Sequence, residues 1–273
     1  MIKTIFSTGD GTLAEGNETA NTSMDEILQI SKHISSSFGP LARSRAVMKF
    51  PTTPTSASMA AQGITTSAAA GNLKYFLKLF ISEERDIQRE HTVVVHPLTL
   101  PFEAGTGRST HNPVTANGVS WKYYYNNQNN KTDTFAVPIA PEYTSTFGTN
   151  SVWSNPGGSF LSGAHVSESA IQTFIDTQGD IELDITAMVE NNKSHSWDTI
   201  TTSIILKRSG SEETDSNVYG DLDYYARNTN TIYSPRIEVR YDNASHAFTT
   251  TNGAQLTIAN EADVQPRLSP TYK

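Results

Sequence analysis

An acidic segment, residues 212–223, carries the densest set of side chains that could do chemistry in this sequence. Carboxylate and amide oxygens are the hard ligands that calcium prefers, and the segment offers Asp215, Asn217, Asp221 and Asp223. The match to a calcium-binding loop is incomplete, because Tyr219 and Ala226 occupy positions where further oxygen ligands are expected. We therefore favour a solvated acidic loop without a metal ion and keep a calcium site as the alternative.

Three carboxylates at alternate positions, Asp180, Glu182 and Asp184, are a second candidate, since glycoside hydrolases use paired carboxylates. Alternate residues of a β-strand share one face, so a solvated outer face of a strand explains them equally well. The sequence has no His-Glu-x-x-His and no Gly-x-Ser-x-Gly motif, and the Gly-x-Gly at residues 105–107 lacks the strand-to-helix context of a phosphate loop. We predict a protein that is not an enzyme and that uses no cofactor.

Composition limits the partners that the chain can have. Net charge is -8, which disfavours nucleic acid, because such binding relies on clustered lysine and arginine. Cysteine is absent, which excludes disulfides and thiol chemistry. The N-terminus does not resemble a signal peptide, and no segment approaches the about 18 apolar residues of a membrane span. We therefore predict a protein that folds in the cytoplasm and does not insert into a membrane.

Short apolar segments with alternating character, bounded by turn residues, predict β-strands. They are residues 46–50, 73–81, 92–98, 119–125, 180–185, 201–207, 223–226 and 236–241. Helix is predicted only at residues 25–30, 58–62 and 186–191, where Thr186 could cap the last of these. Residues 166–176 fit either strand or helix. Because no βαβ alternation occurs, the pattern predicts an all-β, jelly-roll-like sandwich with few short helices.

The apolar strand pattern fades near the C-terminus. We predict one sandwich domain over residues 1–243 and an extended arm over residues 244–273. The arm buries too little apolar surface to fold alone. We expect it to dock by adding a strand to a neighbour's sheet, with Leu256 and Ile258 as the anchoring side chains.

A set of segments, taken in order, resembles one known family. They are residues 10–13, 21–32, 43–50, 118–123, 153–158, 184–189, 205–210, 224–227 and 234–241. Their order and spacing resemble the DNRLRE-type β-sandwich domain, a group linked with carbohydrate-binding modules. The chain looks like the form of that domain found in virion structural proteins of T4-like marine cyanophages. It departs from the family where some thirty residues continue after the closing strand.

The resemblance implies a bacteriophage structural protein that works in the neck, tail, baseplate or capsid surface. It would reside in the virion after folding in the host cytoplasm, contact other virion proteins and self-associate in multiple copies. The alternative is a carbohydrate-binding module or adhesin that recognises host surface polysaccharide. Such a module needs exposed aromatic platforms, for which the candidates are Tyr123, Tyr125 and Tyr224, with Tyr124 and Tyr225 beside them.

Most other residues of those segments have a structural explanation. We expect core or strand-end roles for Phe50, Trp121, Trp153, Pro235 and Tyr241. Arg43 and Arg45 are expected to pair with Asp184 or with a backbone carbonyl, because the forked guanidinium group can fix the end of a strand.

Overall fold

The computed structural model describes residues 2–35, 39–51, 73–126, 150–162, 170–175, 179–193, 202–241, 247–249 and 255–257. These residues are mostly in antiparallel strands. The first eight are β1 Ile2–Phe6, β2 Gly9–Ala14, β3 Ile27–Ser35, β4 Gly39–Phe50, β5 Leu73–Leu79, β6 Ile81–Arg85, β7 Glu90–Pro97 and β8 Tyr123–Asn126. The others are β9 Asn150–Val152, β10 Ile171–Ile175, β11 Ile181–Asp184, β12 Thr202–Arg208, β13 Gly220–Tyr225, β14 Arg236–Tyr241, β15 Ala247–Thr249 and β16 Gln255–Thr257. Two short helices accompany them in the described residues, α1 Thr186–Lys193 and α2 Gly210–Thr214.

The strands form two main sheets. The smaller sheet has the order β1-β14-β5-β11. The larger sheet has the order β10-β7-β12-β4-β3-β13-β6, and β2 also pairs with β4. Two separate hairpins, β8-β9 and β15-β16, complete the described pairing. The predicted all-β sandwich with few short helices is confirmed.

The main core lies between the two sheets, because alternate residues of each strand point inward. Leu77 and Leu79 of β5 pack in one buried cluster with Ile204 and Leu206 of β12 and with Phe50 of β4. The smaller and larger sheets therefore share a single apolar layer, as expected for a β-sandwich.

A second core lies on the opposite face of the larger sheet. Val47 and Ile205 alternate with residues of the main core and therefore point the other way. They are covered by side chains from the loops around residues 98–124 and 150–160, namely Leu98, Phe102, Val119, Trp121, Tyr124 and Trp153. The larger sheet is thus buried on both faces at β4 and β12, which explains why each strand carries three consecutive apolar residues, 46–48 in β4 and 204–206 in β12.

The predicted helix at residues 25–30 is wrong, because this segment enters β3. Leu28 and Ile30 point into the main core and lie opposite Tyr224 and Leu222 of β13. Pairing with β13 and burial outweigh the weak local preference for helix. The predicted helix near residues 186–191 is confirmed as α1.

The cap expected from Thr186 takes a different form. Its hydroxyl accepts a hydrogen bond from the backbone N–H of Tyr75, on β5, at 2.9 Å. Asp184 accepts from the backbone N–H of Thr186 at 2.9 Å. The Thr186 hydroxyl therefore links α1 to the smaller sheet. The Asp184 carboxylate accepts the local backbone hydrogen bond at the start of the helix.

Other boundaries also shift. Strand β8, Tyr123–Asn126, includes only the last three residues of the predicted strand at 119–125, because Val119 and Trp121 lie outside β8 and cover the second core. The ambiguous stretch at 166–176 contains strand β10. The predicted helix at 58–62 lies outside the described residues.

Candidate functional surfaces

A buried ion-pair cluster lies beside the second core. Arg45 donates from Nε and Nη2 to the two carboxylate oxygens of Glu213 at 2.8 and 2.9 Å. It also donates from Nη1 to the carbonyl of Gly157 at 2.8 Å. Lys207 Nζ lies 2.9 Å from Glu213 Oε2. Burial would raise the pKa of Glu213, but the two cations hold it below its ordinary value, so this carboxylate acts as an anchor for three segments of chain.

Trp121 packs against the guanidinium groups of both predicted arginines. The Cζ of Arg45 lies 5.1 Å and that of Arg43 lies 5.7 Å from the Trp121 ring centroid. Arg43 forms a bidentate pair with Glu15, at 2.9 Å from Nε and 2.7 Å from Nη2. These contacts fix strand β4 to its neighbours.

The predicted partner Asp184 is wrong for both arginines. Asp184 instead lies 3.7 Å from Lys74 and accepts from the Thr186 amide. The alternative prediction, a backbone carbonyl, is confirmed for Arg45. The true carboxylate partners, Glu15 and Glu213, lie far from the arginines in sequence, so alternation along single strands could not reveal them.

The remaining residues predicted to be structural are mostly buried. Phe50 lies in the main core, and Trp121 and Trp153 lie in the second. Trp153 also donates from Nε1 to the carbonyl of Ser120 at 3.0 Å. Pro235 is buried just before β14. Tyr241 is the last residue of that strand.

The carboxylates of the acidic segment form ion pairs with different basic side chains. Asp215 Oδ1 lies 2.6 Å from Lys32 Nζ, and Asp215 Oδ2 accepts from the hydroxyl of Tyr219 at 2.6 Å and from Asn217 Nδ2 at 2.9 Å. The bonds from Lys32 and Tyr219 hold the pKa of Asp215 far below its usual range.

The rest of the segment does not assemble around Asp215. Asp221 and Asp223 both contact Arg85, at 3.4 and 2.7 Å. Within the described residues no group of three acidic or histidine side chains is arranged to hold a metal ion. The calcium alternative therefore gains no ligand cluster in this part of the chain.

The alternate carboxylates of β11 lie in a network of ion pairs on the outer face of the smaller sheet. Glu182 is exposed and contacts Lys78 at 2.9 Å and Arg240 at 2.5 Å. The guanidinium of Arg240 lies 4.0 Å from the ring centroid of Phe76. Asp180 accepts instead from the backbone N–H of Ile81 at 2.8 Å. The arrangement matches the solvated strand face that the alternation predicts.

The tyrosine platform predicted from the sequence is partly wrong. Tyr224 is 0% exposed and lies in the main core, so it cannot meet a sugar or a partner. Tyr123 and Tyr125 are half-buried on β8. Tyr124, between them, is buried with its ring centroid 5.4 Å from that of Trp153. Alternation places Tyr225, rather than Tyr224, on the outside of β13.

Tyr225 belongs to a group of half-buried and exposed side chains that we call the aromatic patch: Phe80 and Tyr225, which are half-buried, and Ile232 and Tyr233, which are exposed. The Tyr225 and Tyr233 ring centroids are 5.6 Å apart with an interplanar angle of 24°, and Phe80 lies 5.1 Å from Tyr233. Tyr233 is 42% and Ile232 77% exposed. No strand pattern marks the loop that carries Ile232 and Tyr233, which is why the sequence did not reveal the patch.

Backbone and cationic contacts hold the patch at one end of the smaller sheet. The backbone N–H of Tyr225 donates to the carbonyl of Phe80 at 3.0 Å. The guanidinium of Arg236 lies 4.6 Å from the Phe80 ring centroid and donates from Nη1 to the carbonyl of Ile232 at 3.3 Å. Two strands and one loop therefore fix the positions of the rings.

Strand β1 forms an edge of the smaller sheet, next to the patch. It pairs with β14 on one side, and no described strand pairs with it on the other. Ile2 is 63% and Phe6 53% exposed, and Phe6 lies opposite Arg236 in the register. An unpaired edge with exposed apolar side chains is a surface on which another strand can add.

Comparison with known proteins does not assign the chain to a family. No protein-family model matches the chain, and no curated protein matches it in sequence. The resemblance to DNRLRE-type domains therefore stays a prediction. In the described residues, no helix is both long and apolar enough to span a membrane.

Proposed function

We propose that the protein is a structural component of a bacteriophage virion that works through protein contacts rather than catalysis. The observation that carries the proposal is the β1 edge, where Ile2 and Phe6 are exposed on a strand whose outer edge pairs with no described strand. Charged side chains and prolines commonly blunt such edges. Lys3 is the only charged residue on β1, which leaves the edge open to a neighbouring copy or another virion protein.

The phage setting rests on the sequence resemblance and on a surface rich in neutral polar residues. In this setting the protein folds in the host cytoplasm and joins the particle afterwards, in the neck, tail, baseplate or capsid surface. Immunoelectron microscopy of purified particles tests that location. We expect regular labelling by an antibody against the chain, and particles without label would contradict the proposal.

The β1 edge can be tested separately by placing charges on it. Ile2→Lys combined with Phe6→Lys should leave the melting temperature nearly unchanged, because both side chains are exposed, but should abolish incorporation into particles. Ile175→Lys, on the edge strand β10, is a matched control with an equally exposed isoleucine. Normal incorporation of the double variant would contradict a role for this edge.

The C-terminal arm, residues 244–273, belongs to the same proposal. Strand β16 pairs with β15, a pairing that the sequence pattern did not predict. Leu256 lies in β16, and Ile258 lies outside the described residues. Deleting residues 244–273 should leave the melting temperature nearly unchanged while abolishing incorporation. A large fall in the melting temperature would show instead that the arm belongs to the fold.

A carbohydrate-binding module is the second candidate function. Of the platform residues predicted for it, Tyr224 is buried. The observation that favours this candidate is the aromatic patch, in which the exposed Tyr233 ring stacks on the half-buried Tyr225 ring.

A further inference from the structure

Strand β1 directs a regular set of backbone groups away from the fold. The backbone N–H of Ser7 donates to the carbonyl of Pro235 at 3.0 Å, one step beyond the pair of Phe6 with Arg236. Hydrogen-bonded and non-hydrogen-bonded positions alternate along an antiparallel pair. The odd-numbered residues of β1 therefore bond to β14, and the even-numbered residues point their N–H and C=O groups outward. The outer edge of β1 thus offers donors and acceptors at the spacing that a further strand needs.

The side chains of the same even-numbered residues form the exposed surface of β1. Ile2 is 63% and Phe6 53% exposed, and Thr4 between them is exposed as well. Ile5 points the other way and packs against the main core, which fixes the strand to the sandwich. The exposed set is apolar at both ends with threonine at its centre. This pattern suits antiparallel pairing of the strand with a copy of itself.

A second copy of β1 fits this edge in one register. Antiparallel pairing about a two-fold axis at Thr4 places Ile2 of each copy opposite Phe6 of the other. These residues carry the outward backbone groups, so each facing pair can exchange both of its N–H···O bonds. Pairs of an aromatic with a β-branched side chain, and pairs of threonines, are favourable across strands. Lys3 lies opposite Ile5 of the second copy, so the register sets no like charges directly opposite each other.

The other edge strands of the described chain are less open to a copy. β6 ends in three consecutive charged residues, 83–85, and charges of this kind blunt an edge. β10 and β11 are joined by Gln172, whose side-chain amide donates to the carbonyl of Asp180 at 3.0 Å and accepts from the backbone N–H of Glu182 at 3.1 Å. Neither device is found on β1, where Lys3 is the only charged residue. Among these edges, β1 is therefore the best suited to pairing.

We propose that two copies of the chain pair through β1, antiparallel about a two-fold axis that passes between their Thr4 residues. Pairing joins the two smaller sheets into one continuous sheet. An isologous interface of this kind closes on itself and does not extend into a filament. The inference rests on the proposed function, because it names the partner that the β1 edge takes. Pairing of one short strand buries less surface than a stable complex does, so we expect a dissociation constant in the micromolar range.

Sedimentation velocity of the full chain measures the pairing, and two charged variants test its register. Ile2→Lys combined with Phe6→Lys brings lysines opposite each other and should raise the dissociation constant at least tenfold. Ile2→Lys combined with Phe6→Glu is the matched control, because the same register sets each lysine opposite a glutamate. It should pair at least tenfold more tightly than the first variant. Both variants should keep the melting temperature of the unaltered chain at protein concentrations below the dissociation constant.

Single cysteines give a second test of the register, because the unaltered chain has none. In a mixture of Ile2→Cys and Phe6→Cys chains, a short thiol cross-linker should join one chain of each kind. Neither variant should cross-link on its own, because equivalent residues of the two copies lie four positions apart along the strands, or roughly 13 Å.

Two results would overturn the pairing. The first is an unaltered chain that stays monomeric at millimolar concentration. The second is an equal dissociation constant for the two charged variants. If the chain stays monomeric but the double lysine variant fails to enter particles, the edge binds another virion protein, so the proposed function stands and the two-fold pairing fails. If the chain pairs as described but the antibody labels no particles, the pairing stands and the virion role fails.

Discussion

The outer faces of the two sheets carry similar residue types and use them in opposite ways. On the larger sheet, loops cover the face, and Arg45 packs on Trp121 beside a buried carboxylate. On the smaller sheet, Arg240 packs on Phe76 in an open ladder of ion pairs, and Tyr233 faces solvent. An arginine–aromatic pair is thus structural where a loop covers it and is available to a partner where the sheet stays open.

The difference has an energetic basis. Buried ion pairs lose their water, so removing one partner leaves an uncompensated charge and costs about 3–5 kcal/mol. Exposed pairs contribute at most about 1 kcal/mol. The covered face should therefore tolerate few substitutions, whereas the open face should tolerate many without unfolding. Residues of the open face can then serve binding without a large effect on stability.

The largest effect is expected from Trp121→Ala, in the second core. Truncating a buried aromatic side chain leaves a cavity and should lower the free energy of unfolding by about 3–5 kcal/mol. Thermal and denaturant unfolding measure the loss. Tyr233→Ala removes a comparable ring from the open face and should cost less than about 1 kcal/mol. Equal losses in the two variants would abolish the distinction between the faces.

A smaller but still large loss is expected from Glu213→Gln. The change leaves Arg45 and Lys207 without their shared charge partner, and we expect a cost of about 3 kcal/mol. Glu182→Gln makes the same change in the exposed ladder and should alter the free energy of unfolding by about 0.5 kcal/mol or less. Denaturant unfolding at neutral pH gives both values. A Glu213→Gln variant as stable as the control would show that the buried cluster is dispensable.

The pH dependence of stability should reflect the burial of His96 on the covered face. Burial, and next to it the charge of Lys207, lowers the pKa of His96 from 6.5 to about 4. Between these two pH values His96 binds a proton in the unfolded chain but stays neutral in the folded chain. The contribution of His96 is therefore complete above pH 6.5 and declines as the pH falls towards 4, by at most about 1.4 kcal/mol per pH unit.

The variant that tests this dependence is His96→Gln, which keeps a donor for the Leu161 carbonyl. It should flatten the fall in melting temperature between pH 6.5 and 4. An unchanged profile in His96→Gln would show that His96 is solvated in the folded protein.

How far the sequence predicts this molecule depends on the range of the interactions concerned. Alternation along one strand identified β5, β11 and β14, because each presents an apolar face to a single core. It failed at Leu28 and Ile30, where the pairing with β13 decides the structure.

The candidate sites show the same limit. The pairs of Arg43 with Glu15 and of Arg45 with Glu213 join residues distant in sequence. Tyr224 and Tyr225 are adjacent, and only the register of β13 decides which is buried. The aromatic patch depends on a loop that folds back onto Phe80. Long-range contacts of this kind leave no periodic signal in the sequence.

Hydroxyl-radical footprinting with mass spectrometry tests the difference between the two faces most directly, because it measures the solvent access of individual aromatic side chains. We predict rapid oxidation of Tyr233 and Phe6 on the open face and slow oxidation of Trp121 and Trp153, even though tryptophan is intrinsically the more reactive residue. Oxidation of Trp121 as fast as that of Tyr233 would show that the loops do not cover the larger sheet, and would contradict the account.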